Sequence, residues 1–350
     1  MRPVSCAVNG ADAPGESARL TVRMQLIPRI RVGASELPAT PLGIGLAAVG
    51  RPAYLTIGHA EDLGQARGVA DLERRSHEVL DAALEAGLRY VDAARSYGRA
   101  EAFLASWLDR RGADADGVTI ASKWGYAYTG GWRMDASTHE VKDHSAAALR
   151  RQIGETRAVL GDRLDVYQIH SATLDTGVLS DPEVLDLLAD LAAEGVRVGF
   201  TTSGPQQADV VRAALAALDR CPFAVVQATW NPLEPSAAPA LAEAHDAGLV
   251  VVVKEALANG RLAPGGDAAT GLLSCAGAGA EPPTADALAL ALALAQPWSD
   301  IVLSGAATPG QVAANARAVG LASAVSTGAV TELAEDPSAY WGQRKALPWR

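Results

Sequence analysis

Tyr90-Val91-Asp92-Ala93-Ala94-Arg95-Ser96-Tyr97-Gly98 puts a carboxylate and a phenol where a strand-like run, residues 87–91, stops. A helix-like run follows. Two later apolar runs stop in the same way. Thr119-Ile120-Ala121-Ser122 is followed by Lys123, and Asp165-Val166-Tyr167-Gln168-Ile169 by His170. If these runs are neighbouring strands of a parallel barrel, four ionisable groups meet at its C-terminal mouth.

Outward from that stretch the same alternation repeats. Strand-like runs occupy 41–46, 88–91, 118–122, 164–169, 197–201, 223–227, 249–253 and 300–303. Helix-like runs occupy 71–85, 99–110, 143–160, 182–194, 206–218, 237–247, 284–295 and 309–319. Apolar spacing sets each helix, and Gly or Pro punctuates most joints. Eight such units predict an α/β fold, a closed (β/α)8 TIM barrel filling residues 23–350 as one domain with mouth loops and a C-terminal tail. Residues 1–22 are polar and small, and read as a flexible extension. A short hairpin is expected within 24–36. An open doubly wound sheet is the rival. Gly43-Ile44-Gly45 lacks the third glycine and the immediate helix of a dinucleotide fingerprint, which weakens it. Two loops break the spacing and fall at the barrel mouth. Residues 124–141 carry Trp124, Tyr126, Tyr128, Trp132 and His139, either lining a pocket or packing on themselves; residues 258–283 are rich in Gly and Ala.

Composition narrows the function. The chain has 350 residues, 49% of them hydrophobic, and a formal net charge of −10. Its Lys and Arg are scattered without a basic stripe, so neither nucleic acid nor an anionic membrane is an expected partner. The three cysteines, Cys6, Cys221 and Cys275, are far apart, which points to a reducing compartment and no metal-ligand spacing. The uncharged apolar run at 287–298 is too short to span a bilayer, and the N-terminus lacks the apolar core of a secretory signal. A cytoplasmic protein is expected.

The four groups suit acid catalysis on a carbonyl oxygen. Lys123 beside a buried Asp92 forms an ion pair. Tyr97 near that ammonium is expected to have its pKa lowered from about 10. His170 could hydrogen-bond the carbonyl. Singly, each has a plainer reading: a strand-end aspartate caps a helix, and a core histidine satisfies its neighbours. Their joint position after three successive strands carries the functional reading.

The segments Val91-Asp92-Ala93-Ala94-Arg95-Ser96-Tyr97-Gly98-Arg99-Ala100-Glu101, Ala121-Ser122-Lys123-Trp124-Gly125 and Asp165-Val166-Tyr167-Gln168-Ile169-His170-Ser171 resemble the aldo-keto reductases. The resemblance runs from about residue 25 to 350, with a tail similar to the larger bacterial members. It implies NAD(P)H-dependent reduction of an aldehyde or ketone, a sugar-like compound among the candidates, without a metal. Tyr97 would give the proton, Lys123 and Asp92 would tune it, and His170 would orient the carbonyl. Thr201 and Thr202 stand where a Ser-Asn pair often holds the nicotinamide carboxamide, with Gln227 at the next strand end. Lys254 replaces a tyrosine that usually stacks on the nicotinamide, with Leu257 and Gly260 keeping the register. Gly305, Thr308, Gln311 and Asn315 would cradle the phosphates and adenosine. The basic residues that often grip a 2′-phosphate are replaced; the family's habit implies NADP, and the replacement leaves NAD as the alternative. Trp124, Tyr126 and Trp230 are candidates for the substrate wall. The partner is a small carbonyl or alcohol, and oligomeric state stays open. Two readings from other classes remain: a cofactor-binding regulatory subunit with little turnover, and a barrel enzyme forming a Schiff base on Lys123.

Overall fold

Short apolar strands alternating with helices must cover both faces of the sheet, and a closed barrel does so without leaving an edge. The structure, a computed structural model, describes residues 30–31, 38–274, 283–326 and 332–350. Its strands are β1 (Leu42–Gly45), β2 (Tyr90–Asp92), β3 (Thr119–Trp124), β4 (Val166–Ala172), β5 (Arg197–Thr202), β6 (Val225–Thr229), β7 (Val250–Lys254) and β8 (Ile301–Ser304). All pair in parallel and in chain order, and β8 closes onto β1. The fold is the expected (β/α)8 barrel. Helices α1 (Val69–Glu85), α2 (Ala100–Arg111), α3 (Ala146–Leu160), α4 (Pro182–Ala193), α5 (Gln207–Leu215), α6 (Ala238–Asp246), α7 (Ala285–Leu294) and α8 (Pro309–Ala316) alternate with the strands. Local chemistry starts several of them. Ser145 accepts from the Ala148 amide, and Asp181 from those of Glu183 and Val184, ahead of Pro182.

Side-chain alternation places the site. Tyr90, Ala121, Val166, Val225, Val250, Val252, Ile301 and Leu303 pack together as the barrel interior. Val91, Ile120, Tyr167, Ile169, Val226, Val251 and Val253 belong to the larger cluster shared with the helices. A strand turns alternate residues to one face. Asp92 therefore repeats the direction of Tyr90, Lys123 that of Ala121, His170 that of Val166, Gln227 that of Val225, and Lys254 that of Val252. These polar side chains form the top interior layer.

The strands run further than expected. They were expected to stop before Lys123 and His170, yet both residues lie inside β3 and β4, and Lys123 sits opposite Gln168 in the ladder. Backbone pairing continues regardless of side-chain polarity. The 124–141 loop holds an antiparallel hairpin, Tyr126–Tyr128 with Glu140–Lys142. The tail holds a further helix, α9 (Pro337–Lys345), capped by Asp336. At the start of the described chain, Ile30–Arg31 pairs antiparallel with Pro38–Ala39. The rest of the hairpin expected within 24–36, and the extension at 1–22, lie outside the described residues.

Candidate active site

The charged pair at the centre is almost fully buried. Asp92 is 2% exposed and Lys123 1%. The Lys123 ammonium donates to Asp92 Oδ2 at 2.5 Å, to the Ala93 carbonyl at 2.9 Å and to Tyr97 Oη at 3.3 Å. Asp92 Oδ1 accepts from Gln227 Nε2 at 3.0 Å, so the carboxylate spans the barrel interior from β2 to β6. The loop after β2 is anchored from outside. Arg95 reaches Glu101 at 2.5 Å, and Glu101 in turn accepts from Ser122 and Thr156. Tyr97 is thereby set over Lys123. His170 meets the Tyr97 ring edge-on, at 5.5 Å between centroids.

The electrostatics differ from expectation at Tyr97. Burial and the Asp92 carboxylate raise its pKa well above 10.0, and Arg51 opposes them. The lysine that was expected to lower it is already paired with Asp92. Burial, helped by Lys123, Lys254 and Arg51, holds His170 well below 6.5, so its imidazole is neutral near pH 7.

A cavity of about 440 Å³ opens over these groups. Arg51, Tyr54, Tyr126 and Glu140 border it beside Tyr97 and His170. Gln227 and Lys254 border it further on, and so do Leu257, Gly260, Gly305, Gln311 and Asn315. Lys254 donates to Thr229 Oγ1 at 2.9 Å and lies 3.9 Å from Glu255 Oε1. Burial brings the Lys254 amine down to about 8. Glu255 is also clasped by Arg344 of α9. Burial pushes that carboxyl up, but Arg344 and Lys254 outweigh it and leave it at about 2.

Several site expectations are corrected. Thr201 and Thr202 are fully buried and do not border the cavity. Their hydroxyls are engaged by the Ser171 amide and by Gln207, and Ser203 borders the cavity instead. Thr308 also stays off the cavity wall, because its hydroxyl caps α8 by accepting from the Gln311 amide. Trp124 and Trp230 are core residues packed edge-on against His144 and Trp298, not wall residues. Tyr126 does border the cavity. Arg51, Glu140 and Arg344 border the cavity without having been singled out in the sequence. They come from an irregular stretch, a loop hairpin and the tail, where no periodicity marks a side chain's direction.

The polar end near β8 fits a dinucleotide. Open space lies where a side chain on Gly305 would stand, and the buried Asn315 Oδ1 has no hydrogen-bond partner. Among the described residues, no three or more His, Cys, Asp or Glu are grouped to hold a metal ion, and no helix is long and apolar enough to cross a membrane.

Fold and site together define a (β/α)8 barrel protein with a Tyr–Lys–Asp–His mouth. The model of the Aldo/keto reductase family matches residues 62–333, and the chain belongs to that family. An oxidoreductase of Bacillus subtilis, YqkF, is 24% identical over 171 residues, 47% of this chain and 45% of that protein. The aldo-keto reductase str7 of Strobilurus tenacellus is 28% identical over 200 residues, 56% of this chain and 54% of that one. The match thus spans about half the length of each relative. Among solved structures, the holo form of an aldo-keto reductase from Bacillus halodurans superposes with a TM-score of 0.67 at 21% identity, over 89% of this chain and 97% of that one.

Proposed function

We propose that the protein is an oxidoreductase that reduces an aldehyde or ketone to an alcohol, with a nicotinamide dinucleotide as hydride source. One observation carries this reading: a buried ammonium touches both a carboxylate and the Tyr97 hydroxyl at the wall of a cavity. A carbonyl oxygen beside Tyr97 and His170 would take a hydrogen bond from the neutral imidazole and the proton from the phenol. Lys123 stabilises the tyrosinate left behind, and Asp92 with Gln227 fixes the direction of Lys123. The cofactor supplies the hydride when bound. Gly305, Gln311 and Asn315 would hold its phosphate and adenosine end, and Gln227 and Lys254 its nicotinamide end. NADP is the first cofactor to test, from the family's habit, and NAD the second, because no basic side chain stands at Gly305 or Gln311 to grip a 2′-phosphate. The substrate is a small carbonyl or alcohol, a sugar-like compound among the candidates, in a cytoplasmic setting.

A Schiff base on Lys123 is disfavoured, because its nitrogen is committed to three oxygens. The test is Tyr97→Phe on a carbonyl panel with NADPH and NADH. Turnover should fall by about 10²–10⁴ while cofactor binding, read by fluorescence titration, stays within a few-fold. Near-normal turnover would remove Tyr97 from the proton-donor role. A wild-type chain that binds cofactor but turns over nothing would favour the regulatory reading.

A further inference from the structure

Arg51 has no part in the reading above, yet it is among the most completely buried large side chains of the described residues, at 2% exposure. It follows the β1 end and lies against the loop that carries Tyr97. Its Nη1 donates to the Ser96 carbonyl at 3.0 Å and to Glu140 at 2.6 Å. The Arg99 amide bonds the Gly50 carbonyl at 2.8 Å. Gly98 has a φ of 63°, and a β-carbon there would come within 2.8 Å of that of Arg51. The two loops are therefore docked backbone to backbone. The guanidinium carbon lies 5.1 Å from the centre of the Tyr97 ring, close to the 4.7 Å of the Lys123 nitrogen. Tyr54 and Trp349 hold it from other sides at 5.2 and 4.7 Å. Its Nε is buried without a hydrogen-bond partner. Burying such a group costs stability.

We propose that Arg51 is a positioning residue for Tyr97, fixing the loop that presents the phenol and supplying the positive charge its conjugate base needs. The proposal rests on the reading of Tyr97 as proton donor. In that reading a bound nicotinamide would supply the hydride to the carbonyl carbon, and Tyr97 would give its proton to the oxygen, leaving a tyrosinate for solvent to reprotonate. The reverse reaction begins from the tyrosinate. The charges facing the phenol set the need. Lys123 is offset by Asp92 at 2.5 Å. His170 from β4 is held neutral by burial. Glu140 from the hairpin and Glu255 beyond β7 both oppose a tyrosinate, and Arg51 favours it. Lys254 and Arg344 are engaged with Glu255, and Tyr54 is itself kept protonated by burial. A cation at this distance, partly offset by Glu140, favours the phenol's conjugate base.

The test compares Arg51→Met, Arg51→Lys and Glu140→Gln by two measurements. The first needs no turnover: ionised Tyr97 at a fixed alkaline pH, read as tyrosinate absorbance against the same chain carrying Tyr97→Phe. It should fall about tenfold in Arg51→Met, hold in Arg51→Lys, and rise in Glu140→Gln, which unmasks the guanidinium. The second is the pH dependence of alcohol oxidation, whose rising limb should move up by about one unit in Arg51→Met and return in Arg51→Lys. If Arg51→Met does not fold, Glu140→Gln and Arg51→Lys still decide. Ionisation of Tyr97 indifferent to these changes, or Arg51→Lys behaving like Arg51→Met, overturns the proposal. A wild-type chain without turnover that still shows the ionisation pattern would instead reject the carbonyl-reductase reading and leave Arg51 in place.

Discussion

At the scale of the residue, Lys254 is a side chain whose surroundings work against its charge. It ends β7 inside the barrel mouth, and the nearby carboxylate, Glu255, is shared with Arg344. Burial lowers its amine from 10.5 to about 8. The unfolded chain therefore binds a proton that the folded chain holds less tightly, and folding gains stability as pH rises from about 8 towards 10.5. Below that window the buried charge is a cost. Lys254→Met should consequently exceed the wild type in stability at pH 7 by up to about 3 kcal/mol, with the gap narrowing above pH 8. Thermal denaturation of both chains across pH reads this, and a wild type that is the more stable at pH 7 would refute it. A cation there would also oppose an oxidised, positively charged nicotinamide more than a reduced one.

At the scale of the element, α9 is the piece that composition and periodicity did not reveal. It carries Arg344 onto Glu255, a residue in the left-handed backbone region at φ 55°. The same helix packs Tyr340 and Trp341 into a cluster with Leu233, Leu262 and Leu292, and Tyr340 bonds Asn231. Removing the arginine leaves a carboxylate that is 8% exposed with the Lys254 ammonium, 3.9 Å away, and the Thr229 hydroxyl as its partners. Arg344→Met should cost about 3 kcal/mol, read as a lower urea midpoint at pH 7. Because the folded carboxyl is depressed to about 2, the contribution is complete above the unfolded value of 4.5 and is lost as pH falls towards 2. A midpoint unchanged at pH 7 would show that α9 is held by its apolar contacts alone. The mouth hairpin has a similar place in the fold: Glu140 on it meets Arg51 across the cavity rim.

At the scale of the whole molecule, the barrel gathers residues from its first strand to its tail around one cavity, and a ligand there stabilises all of them together. A nicotinamide dinucleotide at a hundredfold excess over its Kd should add about 2.7 kcal/mol, raising Tm by several degrees. Asn315→Leu, which removes the unpartnered buried oxygen, should shrink that rise. No shift with either NADPH or NADH at saturating concentration would mean that the cavity is not a dinucleotide site.

How much of this was legible follows from how each residue acquires its direction. Asp92, Lys123 and His170 stand where short apolar runs end, so the sequence by itself determined that they meet at one barrel mouth; Gln227 and Lys254 entered through the family resemblance, and the shared interior layer shows only once the strands run on through Lys123, His170 and Lys254. The eight repeated units determined the barrel in the same local way, and the residue types in that layer pointed to proton transfer. Tertiary structure alone decided what alternation cannot see. Thr201 and Thr202 look like free hydroxyls in sequence, but the Ser171 amide from the preceding strand and Gln207 at the start of α5 occupy them. Trp124 looks like a wall residue but is turned outward by its place in β3 and sealed under His144. Arg51 and Arg344 stand where no periodic pattern sets a face, and only loop docking brings them to the mouth. The acidity of Tyr97 depends on burial and on charges that converge from distant stretches, and the linear order of residues records neither distance nor solvent exclusion.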